Sequence, residues 1–119
     1  MKHSLQALLI APDDDMRERI LQGDKKISIR EGERDYHAGE PMMVCCHLVP
    51  WAVMVDVTDV RHTTLGMVTE AEWIADGFKS YAHLVTVLRQ FYPRISYDSA
   101  VTVVNWANAR GQLVDSYKK

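Results

Sequence analysis

The chain has 119 residues, of which 47% are hydrophobic and 25% are charged, and its formal net charge at pH 7 is −2. This length and composition are typical of one globular domain, here residues 1–119, that buries about two-thirds of its unfolded surface. The small negative charge argues against a protein that coats duplex nucleic acid, because such binding depends on neutralising many phosphates. No apolar run is long enough to span a bilayer and no secretory signal pattern is present, so we predict no membrane association and a cytoplasmic location.

The first part of the chain predicts a strand, a short helix and a second strand. The segment SLQALLI favours a strand, and APDDDMRERILQG favours a helix that starts among Pro and Asp residues. Met16 and Ile20 share one face of that helix, and Gly23 suits the left-handed position after its end. In KISIR, Ile27 and Ile29 alternate with polar residues, which predicts a strand with one face in the core.

The middle of the chain predicts a loop followed by two strands. EGERDYHAGE is polar and contains two glycines, so we expect a loop, while PMMVCCHLV and WAVMVDVTDV read as strands near a turn at Pro50. The alternating valines of residues 53–57 share one face of the second of these strands. Val60 breaks that alternation, which predicts a bulge or a strand end near Asp59.

Two helices are predicted in VTEAEWIADGFKSYAHLVTVLRQFYP. Thr69 followed by Glu72 forms a capping box, and Gly77 closes the first helix. Tyr92, which precedes a proline, ends the second helix. Three apolar residues at helical spacing are predicted to lie in the core: Leu84, Leu88 and Phe91.

A last strand, AVTVVNWA, is followed by a predicted polar tail, which completes the order strand, helix, three strands, two helices, strand. This order lacks the regular alternation of a doubly wound sheet. It predicts an α+β fold in which a small mixed β-barrel is flanked by short helices.

The sequence gives no sign of a metal or cofactor site. Cys45 and Cys46 are adjacent, and a disulfide between neighbours is strained, so we expect both to be small buried residues. Cys46 and His47 lack the paired spacing of a metal site. We therefore predict no metal and no cofactor.

The stretch GDKKISIREGE holds the candidate chemistry. Ser28 supplies a hydroxyl, Lys25 an amine and Arg30 a permanent cation, and a serine with a lysine forms a nucleophile and base when burial lowers the lysine pKa. Strand alternation would point Lys25 away from Ser28 unless Lys25 is still in the turn after Gly23. A solvated face of mixed charge is the alternative interpretation, and the pattern alone leaves both open.

The same stretch resembles the signature of the ASCH domain, a PUA-like family. The resemblance rests on the pattern Gly-x-Lys-x-x-x-x-Arg, formed by Gly23, Lys25 and Arg30, after the helix end RERILQG. The loop DYHAGE, the segment EAEWIADGFKSYAHLVTVLRQFYP and the closing strand also resemble later elements of the family, so the similarity covers most of the chain. It implies a PUA-type β-barrel with a cleft between barrel and helices, and a role in binding RNA or nucleosides.

Some members of the family are amidohydrolases that remove the acetyl group from N4-acetylcytidine and related N4-acylated cytosines. The resemblance implies a catalytic set of Lys25, Ser28 and an acidic residue from the helical segment, with serine here where those members have threonine. Asp76 is the candidate acid, although it aligns with the family's glutamate only after a one-residue shift. Glu70 and Glu72 remain alternatives.

Other side chains are candidates for contacts with a base or a phosphate: Arg30, Lys26, Tyr36 and His37. Trp51 and Trp73 are further candidates for stacking, with core packing as the alternative. For Arg30 the alternative is an ion pair at the strand end. The expected partner is a modified nucleoside or single-stranded RNA, so a single-strand ribonuclease and a non-catalytic RNA-binding module remain alternatives to the hydrolase.

Overall fold

The computed structural model describes residues 6–10, 14–46 and 51–114, which form a curled half-barrel sheet with short helices. The elements in chain order are β1 (Gln6–Ile10), α1 (Asp14–Leu21), β2 (Ile27–Glu31), β3 (Pro41–Cys46), β4 (Trp51–Thr64), a 3-10 turn (Leu65–Met67), α2 (Glu70–Ala75), α3 (Tyr81–Phe91) and β5 (Ala100–Val114). No helix in these ranges is both long and apolar enough to cross a membrane.

The strands form one mixed sheet in the order β1-β3-β4-β5-β2. β1 runs parallel to β3, and the other neighbouring pairs are antiparallel. β1 and β2 are therefore the two edges of the curled sheet, and the barrel is open between them. The predicted α+β, PUA-like fold with a mixed barrel and short helices is confirmed.

Alternating side chains fill the inside of the curled sheet. β1, β3 and the first half of β4 bury every second residue, as the apolar alternation of their sequences predicts. One buried cluster joins these strands to α1, and a second joins β2 and β5 to α3. The cleft between the two edge strands lies beside both clusters.

The longest strands differ in extent from their predictions. The expected irregularity near Asp59 is present as a register shift between Val57 and Asp59 in the pairing of β4 with β5. Both strands continue further than predicted, because their pairing extends to Thr64 on β4 and to Val114 on β5. The segment after residue 107 is therefore a strand as far as Val114, and residues 115–119 of the predicted tail lie outside the described residues, as does the predicted turn at Pro50.

The core prediction for α3 is correct at two positions and wrong at the third. Leu84 and Leu88 are buried, and Tyr92 follows the helix as its C-cap. Phe91 is 61% exposed because the last turn of α3 borders an open pocket and not the core.

Candidate functional site

A pocket of about 440 Å³ lies on the open side of the half-barrel, within the size range of small-molecule sites. Its polar lining comes from the start of β2 and the end of α2: Lys25, Ser28, Arg30 and Asp76. Its apolar lining includes Leu9, Ile10 and Met16 from β1 and α1, and Phe78, Val87, Leu88, Phe91 and Tyr92 from α3 and its approach. The pocket thus has one polar side and one apolar side.

Lys25 is positioned by the turn that ends α1. Gly23 has φ +83° and donates from its N–H to the Ile20 carbonyl at 3.2 Å, while the Asp24 N–H donates to the Arg19 carbonyl at 2.8 Å. These bonds form a Schellman motif, which requires the left-handed conformation that glycine adopts without strain. The Lys25 N–H also donates to the Arg19 carbonyl, at 3.0 Å. Lys25 therefore belongs to the turn rather than to the strand, and its side chain reaches the same pocket as Ser28.

A second turn of the same kind positions Asp76. Gly77, with φ +94°, donates from its N–H to the Ile74 carbonyl at 2.9 Å, and the Phe78 N–H donates to the Trp73 carbonyl at 2.9 Å. Asp76 is the C-cap residue of α2 inside this motif. Its carboxylate points into the pocket beside Lys25.

The two alternative acids on α2, Glu70 and Glu72, do not contact Lys25. Glu72 accepts two hydrogen bonds from Arg61 of β4, from Nε at 2.8 Å and from Nη2 at 2.6 Å. It also completes the predicted capping box with Thr69, and the Arg61 guanidinium holds the pKa of Glu72 below its ordinary value. Glu70 is exposed and does not line the pocket. Asp76 is the carboxylate that the structure brings to Lys25.

The Lys25 and Asp76 side chains form a buried ion pair on the free edge of β2. The Lys25 ammonium donates to the Asp76 carboxylate and, at 2.9 Å, to the Ile27 carbonyl, and the Ile29 N–H donates to the same carboxylate. Because β2 pairs with β5 through its other backbone groups, as in the bond from the Trp106 N–H to the Lys26 carbonyl, those of residues 27 and 29 face away from the sheet. The ion pair satisfies backbone groups that the sheet leaves unpaired.

Burial changes the proton affinity of both members of this pair. The side chains of Lys25 and Asp76 are only 5% and 8% exposed. Burial lowers the pKa of Lys25 below its ordinary value, and the Asp76 carboxylate opposes that effect. Burial likewise raises the pKa of Asp76, with the Lys25 ammonium opposing it. Both directions favour the neutral amine that a general base requires.

Ser28 lies on the same wall of the pocket, bonded to Arg30. The Arg30 Nε donates to the Ser28 Oγ at 2.8 Å, and Ser28 is only 6% exposed. This bond uses a lone pair of the serine oxygen, so the hydroxyl hydrogen is left for an acceptor in the pocket. Among the described residues no hydrogen bond joins Lys25 directly to Ser28; the lysine nitrogen is bonded to Asp76 and to the Ile27 carbonyl. Arg30 forms this bond in place of the strand-end ion pair that was the alternative.

The structure places the other predicted contact residues outside the pocket lining. Lys26 is exposed on the far side of the turn, and Tyr36 and His37 lie half-buried in the loop before β3. Trp51 is buried in the first core cluster, and Trp73 packs against the second. Both tryptophans therefore have the core packing that was the alternative to stacking on a base.

The sequence patterns did not predict the apolar side of the pocket. The sequence did contain a sign that Phe91 could lie at a pocket, because it is a large apolar residue in the last turn of a helix. Leu9, on the edge strand β1, carried none, since alternation only showed that it faces away from Leu8. Arg61, which anchors α2, also gave no signal in the sequence.

The described ranges contain no group of three His, Cys, Asp or Glu side chains arranged to hold a metal ion. Cys45 and Cys46 are free thiols, and Cys46 is buried. His47 lies outside the described residues.

Neither a protein-family model nor a curated protein matches the sequence. Solved structures do match. The ASCH domain from Lactobacillus crispatus superposes with a TM-score of 0.65 at 17% identity, covering 87% of this chain and 78% of that one. ASCH from Zymomonas mobilis has a TM-score of 0.62 at 9% identity, with 92% and 73% covered, and a protein from Enterococcus faecalis has 0.64 at 11% identity, with 100% and 88% covered. The chain therefore has the fold of ASCH domains.

Proposed function

We propose that the chain hydrolyses the amide bond of N4-acylated cytosine nucleosides such as N4-acetylcytidine. The observation that carries this proposal is the convergence of Lys25, Ser28 and Asp76 in one pocket, although Asp76 is distant from the other two in the sequence. These residues supply a nucleophile, a base of lowered pKa and a carboxylate that orients the base. The resemblance of Gly23, Lys25 and Arg30 to the ASCH signature supports the choice of an acylated cytosine as substrate.

In the first half of the reaction, the Ser28 oxygen attacks the carbonyl carbon of the amide. Its proton passes to the lone pair of the neutral Lys25 amine, whose two hydrogens can stay bonded to Asp76 and to the Ile27 carbonyl. Arg30 already donates to this oxygen, so its cation stabilises the negative charge that develops there. The carbonyl oxygen becomes an oxyanion, and the remaining donors of the Arg30 guanidinium are suited to bind it.

In the second half, the protonated Lys25 gives its proton to N4 of the base as the carbon–nitrogen bond breaks. Cytidine leaves, and the acyl group remains on Ser28 as an ester. Lys25 then removes a proton from water, the water oxygen attacks the ester carbon, and Lys25 returns the proton to the Ser28 oxygen as the ester bond breaks. The carboxylic acid is released and free Ser28 is regenerated. Asp76 holds the lysine nitrogen in place and balances its charge whenever it is protonated.

The experiment is to incubate the purified chain with N4-acetylcytidine and to measure cytidine by chromatography. We expect turnover by the parent protein, retained turnover by Ser28→Thr, and loss of turnover by Ser28→Ala. Lys25→Arg keeps a cation beside Asp76 but cannot act as a base, so kcat should fall by about 10²–10⁴-fold. Lys79→Ala removes an exposed lysine outside the pocket and serves as the matched control.

The same proteins distinguish the alternatives. Absence of cytidine in every reaction would refute the hydrolase. Cleavage of a labelled single-stranded RNA by the parent but not by Ser28→Ala would then favour a ribonuclease. RNA binding without cleavage, weakening steeply as salt is raised, would favour a binding module.

A further inference from the structure

The pocket has a volume of about 440 Å³, which the base and the acyl group of a substrate would share, and most of the residues that line it are apolar. Beyond its carbonyl carbon, an acetyl group has one methyl, which would occupy a small part of a cavity of about 440 Å³. The apolar lining includes Val87, Leu88 and Phe91 of α3, together with Leu9 of the edge strand β1 and Met16 of α1. These side chains offer no hydrogen-bond donor or strong acceptor.

The nucleoside itself is a poor match for this wall. The cytosine ring and the ribose carry nitrogen, carbonyl and hydroxyl groups, and burying them against aliphatic side chains without partners costs free energy. Apart from the Tyr92 hydroxyl, the polar side chains that line the pocket are Lys25, Ser28, Arg30 and Asp76, which come from β2 and from the residues that follow α1 and α2. With the amide carbonyl at Ser28, the base fits the polar side and the acyl group fits the apolar side.

Two large apolar side chains at the mouth of the pocket support the same orientation. Phe91 of α3 is 61% exposed and Leu9 of β1 is 51% exposed, and both line the cavity. Exposed apolar surface beside a cavity marks a place where a ligand removes that surface from water. An acyl chain lying between these two residues would cover both.

On the basis of the proposed function, we propose that the preferred substrates carry an acyl group larger and more apolar than acetyl. The group is a straight or branched chain of about four or more carbons, or an aromatic acyl group such as benzoyl, packed against the apolar side of the pocket. The chemistry at Ser28 is unchanged by the length of this group. The size of the acyl group determines which amides the site selects.

The expected size of the effect follows from the burial of methylene groups. Each buried methylene contributes about 0.8 kcal/mol, which corresponds to about a fourfold gain in kcat/KM. Four added methylenes, from acetyl to hexanoyl, would therefore give a gain of up to about two orders of magnitude. Because the wall contacts the chain equally in the ground state and the transition state, the gain should appear mainly as a lower KM.

The test measures kcat and KM for N4-acetyl-, N4-butanoyl-, N4-hexanoyl- and N4-benzoylcytidine with the full chain. We expect kcat/KM to rise along the aliphatic series, and the ratio of the hexanoyl to the acetyl kcat/KM to fall by about tenfold in Phe91→Ala. Met67→Ala is the matched control, since Met67 is 66% exposed but lies outside the pocket, and this variant should keep the parent ratio.

The outcomes separate the two proposals. Hydrolysis with a kcat/KM that is flat or falls with chain length overturns the acyl-group inference and leaves the proposed hydrolase standing. A rising series that Phe91→Ala leaves unchanged overturns the assignment of the acyl group to this wall. If none of the four amides is hydrolysed, both the proposed function and this inference fail.

Discussion

Replacement of Asp76 by asparagine should destabilise the fold by about 3–5 kcal/mol at pH 7, because it leaves the Lys25 ammonium buried without its counter-charge. Asparagine is nearly isosteric and its side-chain oxygen can still accept from the Ile29 N–H, so the main loss is electrostatic. Lys25 limits the penalty by releasing its proton. Deprotonating a lysine whose ordinary pKa is 10.5 costs about 5 kcal/mol at pH 7, and this sets the upper bound.

The loss of stability in Asp76→Asn should shrink as the pH rises. Without the opposing carboxylate, burial lowers the pKa of Lys25 further than in the parent. Between that lowered pKa and 10.5 the unfolded chain binds a proton that the folded variant has released, so the stability of the variant increases with pH. At pH 10 the cost of deprotonation is about 0.7 kcal/mol, and the defect should approach that size.

Urea unfolding followed by tryptophan fluorescence measures these differences, and a double-mutant cycle isolates the pair. Lys25→Met should also destabilise the fold, because it leaves the Asp76 carboxylate buried alone. The double variant Lys25→Met/Asp76→Asn should be less destabilised than the sum of the two single changes. A loss below about 1 kcal/mol at pH 7, additive single effects, or a defect independent of pH would refute the buried ion pair.

Three further predictions concern the base, the turn after α2 and the ion pair that anchors α2. The kcat/KM for N4-acylcytidine should rise with pH along a limb below pH 10.5, because Lys25 acts when neutral and burial lowers its pKa; a limb that survives in Lys25→Arg would contradict this role. Gly77→Ala should lower the free energy of unfolding by about 1–3 kcal/mol, since φ is +94° and the added Cβ would lie 3.1 Å from the Arg19 Nη1; an unchanged melting temperature would oppose it. Arg61→Met should cost about 1 kcal/mol after solvent screening and should lower kcat more than it raises KM, because it frees Glu72 and loosens α2; equal kcat values would show that α2 does not need this anchor.

Local patterns predicted the elements of the fold well. The alternation of residues 53–57 placed the inner face of β4, and Val60 correctly marked the shift in register. The left-handed glycines, Gly23 and Gly77, marked the ends of two helices. These features depend on neighbours in the sequence, so the sequence contains the information. The ends of β4 and β5 depend on pairing between segments that are distant in the sequence, because each strand continues for as long as its partner does. Local patterns therefore did not predict these ends.

The site was only partly predictable for the same reason. Lys25 and Ser28 were close in sequence, but whether the lysine left the strand depended on hydrogen bonds to the end of α1. Asp76 was one of three acidic residues in or directly after α2. Another of them, Glu72, is bound by Arg61 of β4, a contact between residues on different elements that local patterns do not predict. Helical spacing assigned Phe91 to the core because periodicity identifies a face of a helix without showing where the neighbouring layer ends.

The location of the Lys25–Asp76 pair on an edge strand has a consequence for solubility. An edge strand with unpaired N–H and C=O groups can add a strand from another molecule, and such additions lead to aggregates. The pair occupies the Ile27 carbonyl and the Ile29 N–H, which are two of the groups that a foreign strand would use. A variant that lost these side chains would be expected to self-associate at high concentration as well as to lose activity. A chain with this fold that performed no reaction would still need polar side chains to protect this edge.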